Sequence, residues 1–304
     1  MTTVYLGTSE FAAAVLRRLS ASGRVPALVI TRPDRPRGRG RRVAAPPVAD
    51  AARELGIDVI QPDTVNSDEA RSRIAAVEPE AVCVCAFGAL IKEPLLSEHP
   101  MLNVHPSLLP RWRGAAPIER AIDAGDERTG VSIMRPTPEL DAGPVCIQRS
   151  EPIRADDDFG SLSARLEELS GDLLVEALDC QPRFEEQPDE GVTFAEKIGP
   201  DDRRLSPGRS AVELERRTRA LRPHIGAYVD LPGGERLGVV RASAAGRVTD
   251  LPEPGRLEAA AGGELLFGCR GGALDLLEVK PAGGRAMDSG AYVRGYAGRL
   301  DRAG

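Results

Sequence analysis

Short uncharged runs with β character alternate with amphipathic helical patterns along the first two-thirds of the chain. "TVYLG" (3–7) leads into "EFAAAVLRRLS", whose Phe11, Val15, Leu16 and Leu19 share one helical face. "ALVIT" (27–31) precedes an Arg-rich loop and the helical "PVADAAREL"; "IDVIQ" is followed by the helical "SDEARSRIAAVE". The continuous apolar run "AVCVCAF" (81–87), the short helical "KEPLLSE", the strand "MLNVH" (101–105) and the helical "APIERAIDAG" come next. A strand without polar alternation must be covered on both faces, and the intervening helices supply that cover. The pattern predicts a doubly wound α/β domain on a parallel sheet. "GVSIM" and "GPVCIQRSEPI" have no helix between them and predict a hairpin-like addition. A long helix over 161–178, with Leu162, Leu166, Leu169, Leu173 and Ala177 on one stripe, closes the domain.

Periodicity then fails. Residues 179–208 are rich in Pro, Gly and charge, which predicts a linker. Ser210 and Glu213 next form a capping box for the helix "AVELERRTRAL". Short β runs separated by Gly-rich turns follow, from "GAYVDL" through "RLGVVRAS", "GRLEAA" and "ELLFGC" to "ALDLLEV", spacing that suggests a small barrel. The expected division is a catalytic domain over 1–180, a linker over 181–204 and a β-barrel domain over 205–304. A chain of 304 residues suits two domains.

The net charge of −6 is unevenly spread. Residues 205–304 hold 15 basic against 12 acidic side chains, and "TRPDRPRGRGRR" (31–42) packs six Arg against one Asp. Such a density predicts a polyanion-binding loop centred on Arg35, Arg37, Arg39, Arg41 and Arg42. Pro33 and Pro36 interrupt regular structure there, and Gly38 and Gly40 loosen it, so the loop is expected to be mobile until it is bound. The five cysteines are scattered without metal-ligand spacing, which predicts a reducing compartment and no metal. The first residues show neither the basic nor the apolar region of a signal peptide, and no stretch of about 18 apolar residues occurs. A cytoplasmic protein, free of the membrane, is expected.

In an open parallel sheet, ligands bind beyond the carboxyl ends of the strands. The first turn, "GTSEFA", is not G-x-G-x-x-G, and neither a Walker A motif nor a G-x-S-x-G elbow is found. Asn103 and His105 end the strand "MLNVH", and alternation points both to one face. A side-chain amide can donate to a developing oxyanion, and an imidazole can donate or move a proton. Asp141 in "PELDAGP" could orient and charge His105, or could instead be a turn residue bonding its own backbone. His99 and His224 lack this setting.

The stretches "AFGALIKEPLL", "LNVHPSLLPRWRGAAPIERAIDAGDERTGVSIM" and "LDAGP" resemble the folate-dependent formyltransferases. "GTSEFAAAVL", the Arg-rich insertion, "VTFAEKI" and "VKPAGGRAM" extend the likeness over almost the whole chain and narrow it to members that act on aminoacyl-tRNA. The resemblance implies a Rossmann-like formyltransferase core with a C-terminal OB-like barrel that binds tRNA. It implies that the α-amine of methionyl initiator tRNA attacks the formyl carbon of 10-formyltetrahydrofolate, a co-substrate consumed in each turnover. Asn103 and protonated His105 are then the oxyanion donors, with Asp141 holding the imidazole. Ser107, Leu108, Leu109 and Pro110 match the folate-binding segment, and Phe87, Gly88, Ala89, Leu90 and Ile91 line the pterin pocket. Arg39 matches a position implicated in acceptor-arm contact, and the active species is expected to be a monomer.

The chain departs from the family pattern at three places. Glu139 stands where relatives usually have a Gly that permits φ > 0. Ser9 replaces a usual Pro, and the second module lacks tryptophans that relatives often carry. Three other readings compete: a formyl-folate hydrolase, a formyltransferase for a small acceptor, and a non-catalytic RNA-binding protein. The first two have no need of the Arg-rich insertion, and the last leaves Asn103, His105 and "SLLP" unexplained.

Overall fold

The computed structural model describes residues 1–37, 42–180, 183–231, 234–245, 251–260 and 263–300. The chain forms two compact units, and their division does not follow chain order. One holds Met1–Pro117, Arg128–Pro152 and Ser163–Ala195; the other holds Ile118–Glu127, Ile153–Leu162 and Glu196–Gly304.

The first unit begins with β1 (Thr3–Gly7), α1 (Glu10–Ala21) and β2 (Leu28–Ile30), then a ribbon of β3 (Arg35–Arg37) and β4 (Arg42–Ala44). α2 (Pro47–Glu54), β5 (Val59–Ile60), α3 (Asp68–Ala75), β6 (Ala81–Cys85), the single turn α4 (Leu95–Glu98) and β7 (Met101–His105) follow. Along the chain after β8 (Arg113–Gly114) come α5 (Pro117–Ala124), which from Ile118 on belongs to the second unit, β9 (Arg128–Met134), β10 (Val145–Pro152), α6 (Phe159–Cys180), whose residues up to Leu162 also belong to the second unit, and β11 (Phe194–Ala195). Among the described residues seven strands share a sheet in the order β10-β9-β7-β6-β1-β2-β5. From β7 through β5 the pairing is parallel, while β9 and β10 add antiparallel as the expected hairpin-like extension.

Local chemistry explains these elements. Ser9 caps α1, its hydroxyl accepting the Ala12 N–H at 3.2 Å, so the departure from Pro supplies a helix start of a different kind. Every residue of β1 and β6 is buried, as strands covered on both faces require. On one face Val4, Leu6, Leu28, Ile30, Val82, Val84 and Met101 pack with Ile74, Phe87 and Leu95. Fully burying each such aliphatic side chain stabilises the fold by about 1.5–3 kcal/mol.

The second unit is built from α7 (Ala211–Leu221), β12 (Ala227–Asp230), β13 (Arg236–Ala244), β14 (Leu257–Ala259), β15 (Leu265–Cys269), β16 (Gly272–Lys280), β17 (Met287–Asp288) and α8 (Ser289–Leu300), kinked at Tyr296. Its six described strands form an antiparallel sheet along the path β12-β13-β16-β15-β14, with β17 beside β16. Irregular register between Val239 and Ala242 bends β13 against β16 and curls the sheet into a barrel-like form. Leu214 and Leu221 of α7 close one side of a core made by Val229, Leu237, Leu265, Phe267, Leu276 and Val279. The Ser210–Glu213 capping box is present, and its hydrogen bonds hold the Glu213 carboxyl below the usual carboxylate range. Ile118–Glu127 joins this unit through buried charge: Arg217 donates to Asp123 at 2.6 and 2.5 Å, and Arg120 pairs with Asp202 at 2.9 Å.

All five cysteines are free. Burial pushes the Cys83 and Cys85 thiols up to about 12, and half-buried Cys146 up to about 11. Cys269 is buried as well, whereas Cys180, at the end of α6, is exposed. A thiol at pKa 12 is roughly one part in 10⁴ thiolate at pH 8, and the thiolate is the nucleophile. Titration of the native protein with an aromatic disulfide reagent is therefore expected to give one fast equivalent, lost in Cys180→Ser. Two or more fast equivalents would contradict this packing.

Candidate active site

Because β1, β2, β6 and β7 run parallel, the loops after Gly7, Ile30, Cys85 and His105 gather at one edge of the sheet. Side chains stitch these loops together. The Thr8 hydroxyl donates to the Phe87 carbonyl at 2.7 Å, and Arg32 Nη1 donates to the Gly88 carbonyl at 2.6 Å. Asn66 Nδ2 donates to the Leu90 carbonyl at 2.8 Å.

Asn103 and His105 come from one strand face, as alternation requires. The His105 ring is buried, and its Nε2 lies 2.8 Å from the carbonyl of Trp112. A carbonyl can only accept, so Nε2 carries a hydrogen in either charge state. The other ring nitrogen, Nδ1, faces Asp141 Oδ2 at 3.7 Å, an ion-pair separation too long for a hydrogen bond. Nδ1 is therefore the nitrogen left to meet a reacting group. Half-buried Asn103 turns its Nδ2 to the thioether sulfur of Met134 at 3.5 Å. Sulfur is a weak acceptor, so this donor has room for a better one.

Asp141 Oδ2 also accepts the Gly114 N–H at 2.8 Å. Gly114 has φ of 120°, and a Cβ there would stand 2.7 Å from the Ala195 carbonyl, so the close approach of β8 and β11 requires glycine. The conformational demand expected at Glu139 falls elsewhere. The left-handed residue of this loop is Asp141 itself, with φ of 47°, and Trp112 is left-handed as well at 63°. Asp tolerates that region better than most side chains, which is why the loop manages without a glycine at 139.

The segment Ser107–Pro110 is held internally. Ser132 accepts the Leu109 N–H at 3.1 Å and donates to the Ser107 carbonyl at 2.6 Å, while Gln148 donates to the Leu109 carbonyl at 2.7 Å. Ser107 and Leu109 are buried and Leu108 and Pro110 half-buried. In the segment Phe87–Ile91, Phe87 turns into the core and Ile91 packs against it; Gly88, Ala89 and Leu90 are exposed. The structure therefore divides this segment rather than presenting it as one wall.

The Arg-rich stretch corrects the expectation that its prolines exclude regular structure. β3 and β4 pair antiparallel, with Arg35 opposite Ala44, Pro36 opposite Val43 and Arg37 opposite Arg42. A two-stranded ribbon leaves half of its backbone groups facing outward, so a proline is tolerated. Arg35 is exposed; Arg39 and Arg41, and the mobility expected of the loop tip, lie outside the described residues.

Several contributors carried no sequence signal. The Trp112 carbonyl fixes His105 through its backbone alone. Gln187 and Thr193 lie in the stretch expected to be a linker, yet residues 185–195 dock on the first unit: Glu185 bridges Val145, and β11 pairs with β8. Among the described residues no cluster of His, Cys, Asp and Glu could hold a metal ion, and no helix is long and apolar enough to cross a membrane.

Comparison with known proteins gives two family matches, to the formyl transferase domain over residues 1–178 and to the formyl transferase C-terminal domain over 197–297. The methionyl-tRNA formyltransferase of Methylococcus capsulatus is 43% identical over 303 residues, covering 98% of this chain and 97% of that protein. The methionyl-tRNA formyltransferase of Halorhodospira halophila is 42% identical over 299 residues, covering 96% and 95%. Among solved structures, the methionyl-tRNA formyltransferase from Clostridium thermocellum superposes with a TM-score of 0.59 at 16% identity, over 81% of this chain and 94% of that one.

Proposed function

The chain belongs to the formyl transferase family, and from this we infer that it transfers the formyl group of 10-formyltetrahydrofolate to the α-amine of methionyl initiator tRNA. It is a transferase of translation initiation. The observation that carries this reading is the end-to-end identity with relatives of that activity, spanning both domains.

The bound folate supplies the formyl group. The uncharged run Ser107–Pro110, stiffened by Ser132 and Gln148, suits a flat ring system. With it we group Phe87, Gly88, Ala89, Leu90 and Ile91 as the pterin-side segment. Asn103 Nδ2 and His105 Nδ1–H donate to the formyl oxygen as the amine attacks and the carbonyl electron pair moves onto that oxygen. Asp141 balances the imidazolium. When the oxygen's electron pair returns, the bond from carbon to the folate nitrogen breaks. The proton released by the amine passes through Asp141 and His105 to that nitrogen, leaving tetrahydrofolate and formyl-methionyl-tRNA.

Incubation of the protein with both substrates is expected to give acid-stable formyl-methionine, with the folate untouched when tRNA is omitted. Folate consumed without an acceptor would make the protein a hydrolase; consumption only with a small amine would make it a small-molecule formyltransferase. Binding of tRNA with no turnover would leave an RNA-binding protein. The reading takes a monomer working in the cytoplasm, where charged initiator tRNA is found, and light scattering of the active protein tests the first part.

The Arg-rich ribbon is assigned to the tRNA acceptor arm, through Arg35, Arg37, Arg39, Arg41 and Arg42. Its support is charge density and place: Arg32 ties the base of the ribbon to Gly88 at the strand-end edge. Replacing Arg37, Arg39, Arg41 and Arg42 by Ala is expected to weaken tRNA use and flatten its salt dependence. Losing two or three phosphate contacts lowers the log–log slope by roughly two to three units. Formyl-folate binding stays, because its segments leave other strands. Wild-type kcat/KM for methionyl-tRNA at every salt concentration would refute the assignment.

A further inference from the structure

The stretch that precedes the second unit grips the reacting pair from both sides. Gln187 is half-buried, and its amide uses its full hydrogen-bonding capacity. Nε2 donates to the Asp141 carbonyl at 2.8 Å and to the Gly143 carbonyl at 2.7 Å. Oε1 accepts from Arg113 Nε at 3.0 Å and from Nη2 at 2.8 Å. Arg113 adjoins Gly114, whose N–H holds the Asp141 carboxylate. One side chain thus ties the backbone of Asp141 to the strand that binds its carboxylate. Six residues on, Thr193 Oγ1 accepts the Trp112 N–H at 2.9 Å, and the Thr193 carbonyl accepts the Arg113 N–H at 2.9 Å. These bonds hold left-handed Trp112, whose carbonyl orients His105.

We propose that Gln187 and Thr193 are positioning residues for formyl transfer, Gln187 setting the Asp141 carboxylate and Thr193 setting the Trp112 carbonyl that directs His105 Nδ1 toward it. The proposal rests on the roles given above to His105 and Asp141. Its physical basis is that Asp141 and Trp112 both occupy the left-handed backbone region, which residues with a side chain rarely adopt. Such conformations persist only where surrounding bonds over-determine them. Here the bonds come from 187–195, and a displacement of about 1 Å at a reacting group can cost about 10²-fold in rate.

Gln187→Glu is the informative change. The carboxylate still accepts from Arg113, but its second oxygen faces two carbonyl oxygens and repels them. The expected result is a kcat about 10–10²-fold lower with little change in KM for either substrate. In an Asp141→Asn background the same change is expected to cost under about threefold, because a residue acting through Asp141 has little left to position. Gln187→Met, of similar length and without charge, carries the same cycle if the Glu variant fails to fold, as judged by melting and folate binding. Thr193→Val, which keeps shape and loses the acceptor, is expected to lower kcat, with Thr193→Ser recovering most of the loss. Equal fold-losses from Gln187→Glu (or Met) in both backgrounds, or wild-type kcat in the single variants, would overturn the proposal. Failure of the underlying assignment shows in a different arm, as wild-type turnover by Asp141→Asn alone.

Discussion

Asp141→Asn is expected to lower kcat by about 10³–10⁴-fold, the scale seen when the carboxylate behind a catalytic imidazole is replaced by its amide. The substitution isolates charge from shape. Asn is the same size and is equally at home at a φ of 47°, so the loop from Arg135 to Gly143 keeps its path. Its amide oxygen can still accept the Gly114 N–H that Asp141 accepts at 2.8 Å. What disappears is the negative charge 3.7 Å from His105 Nδ1. Without it nothing balances a cationic ring, and the amine's proton loses its first resting place. Melting temperature and folate KM are expected to stay near wild type, since neither depends on that charge. Asp141→Glu is a useful companion, because a longer side chain that tolerates left-handed backbone less well keeps the charge and misplaces it; it is expected to rescue little. Normal turnover by Asp141→Asn would return Asp141 to the status of a turn residue.

The strand that carries Asn103 and His105 was legible in the sequence because it rests on local rules. Apolar runs without alternation have one stable use in an α/β domain, and two polar residues two apart on such a run must share a face. The Ser210–Glu213 cap is local in the same sense. The supports around the pair obey no such rule. Gln187 and Thr193 act on Asp141 and Trp112 from 46 and 81 residues away along the chain. Their stretch carries no periodicity, because its structure comes from side chain to backbone bonds and a two-residue strand. The Trp112 contribution is a carbonyl, which every residue has. β3 and β4 were hidden for the opposite reason: prolines and glycines signal a break, yet a two-stranded ribbon has one ladder and forgives them. The place of Ile118–Glu127 in the second unit was also illegible, since it is tied there by Arg217 and Arg120, charges that a sequence pattern assigns to solvent.

Asn103→Ala is expected to lower kcat by about 10²–10³-fold while KM for both substrates moves little. The reasoning starts from what Asn103 touches before any substrate arrives. Its Nδ2 points at the Met134 thioether at 3.5 Å, a contact worth little, so truncation should scarcely alter folding stability. In the proposed mechanism the same donor meets a full negative charge only when the formyl carbon becomes tetrahedral and its oxygen takes the electron pair, and an interaction made only then appears in kcat rather than KM. His105→Ala is expected to cost at least as much, since it removes the second donor and the proton path together. The double variant should then lose far less than the product of the two single losses, because both donors serve one oxygen and neither stabilises it well alone. A steady-state matrix of the four proteins, with melting curves to confirm folding, makes the measurement. If KM rises steeply in Asn103→Ala while kcat holds, the amide binds the ground state, and the oxyanion must be sought among other donors at this strand end.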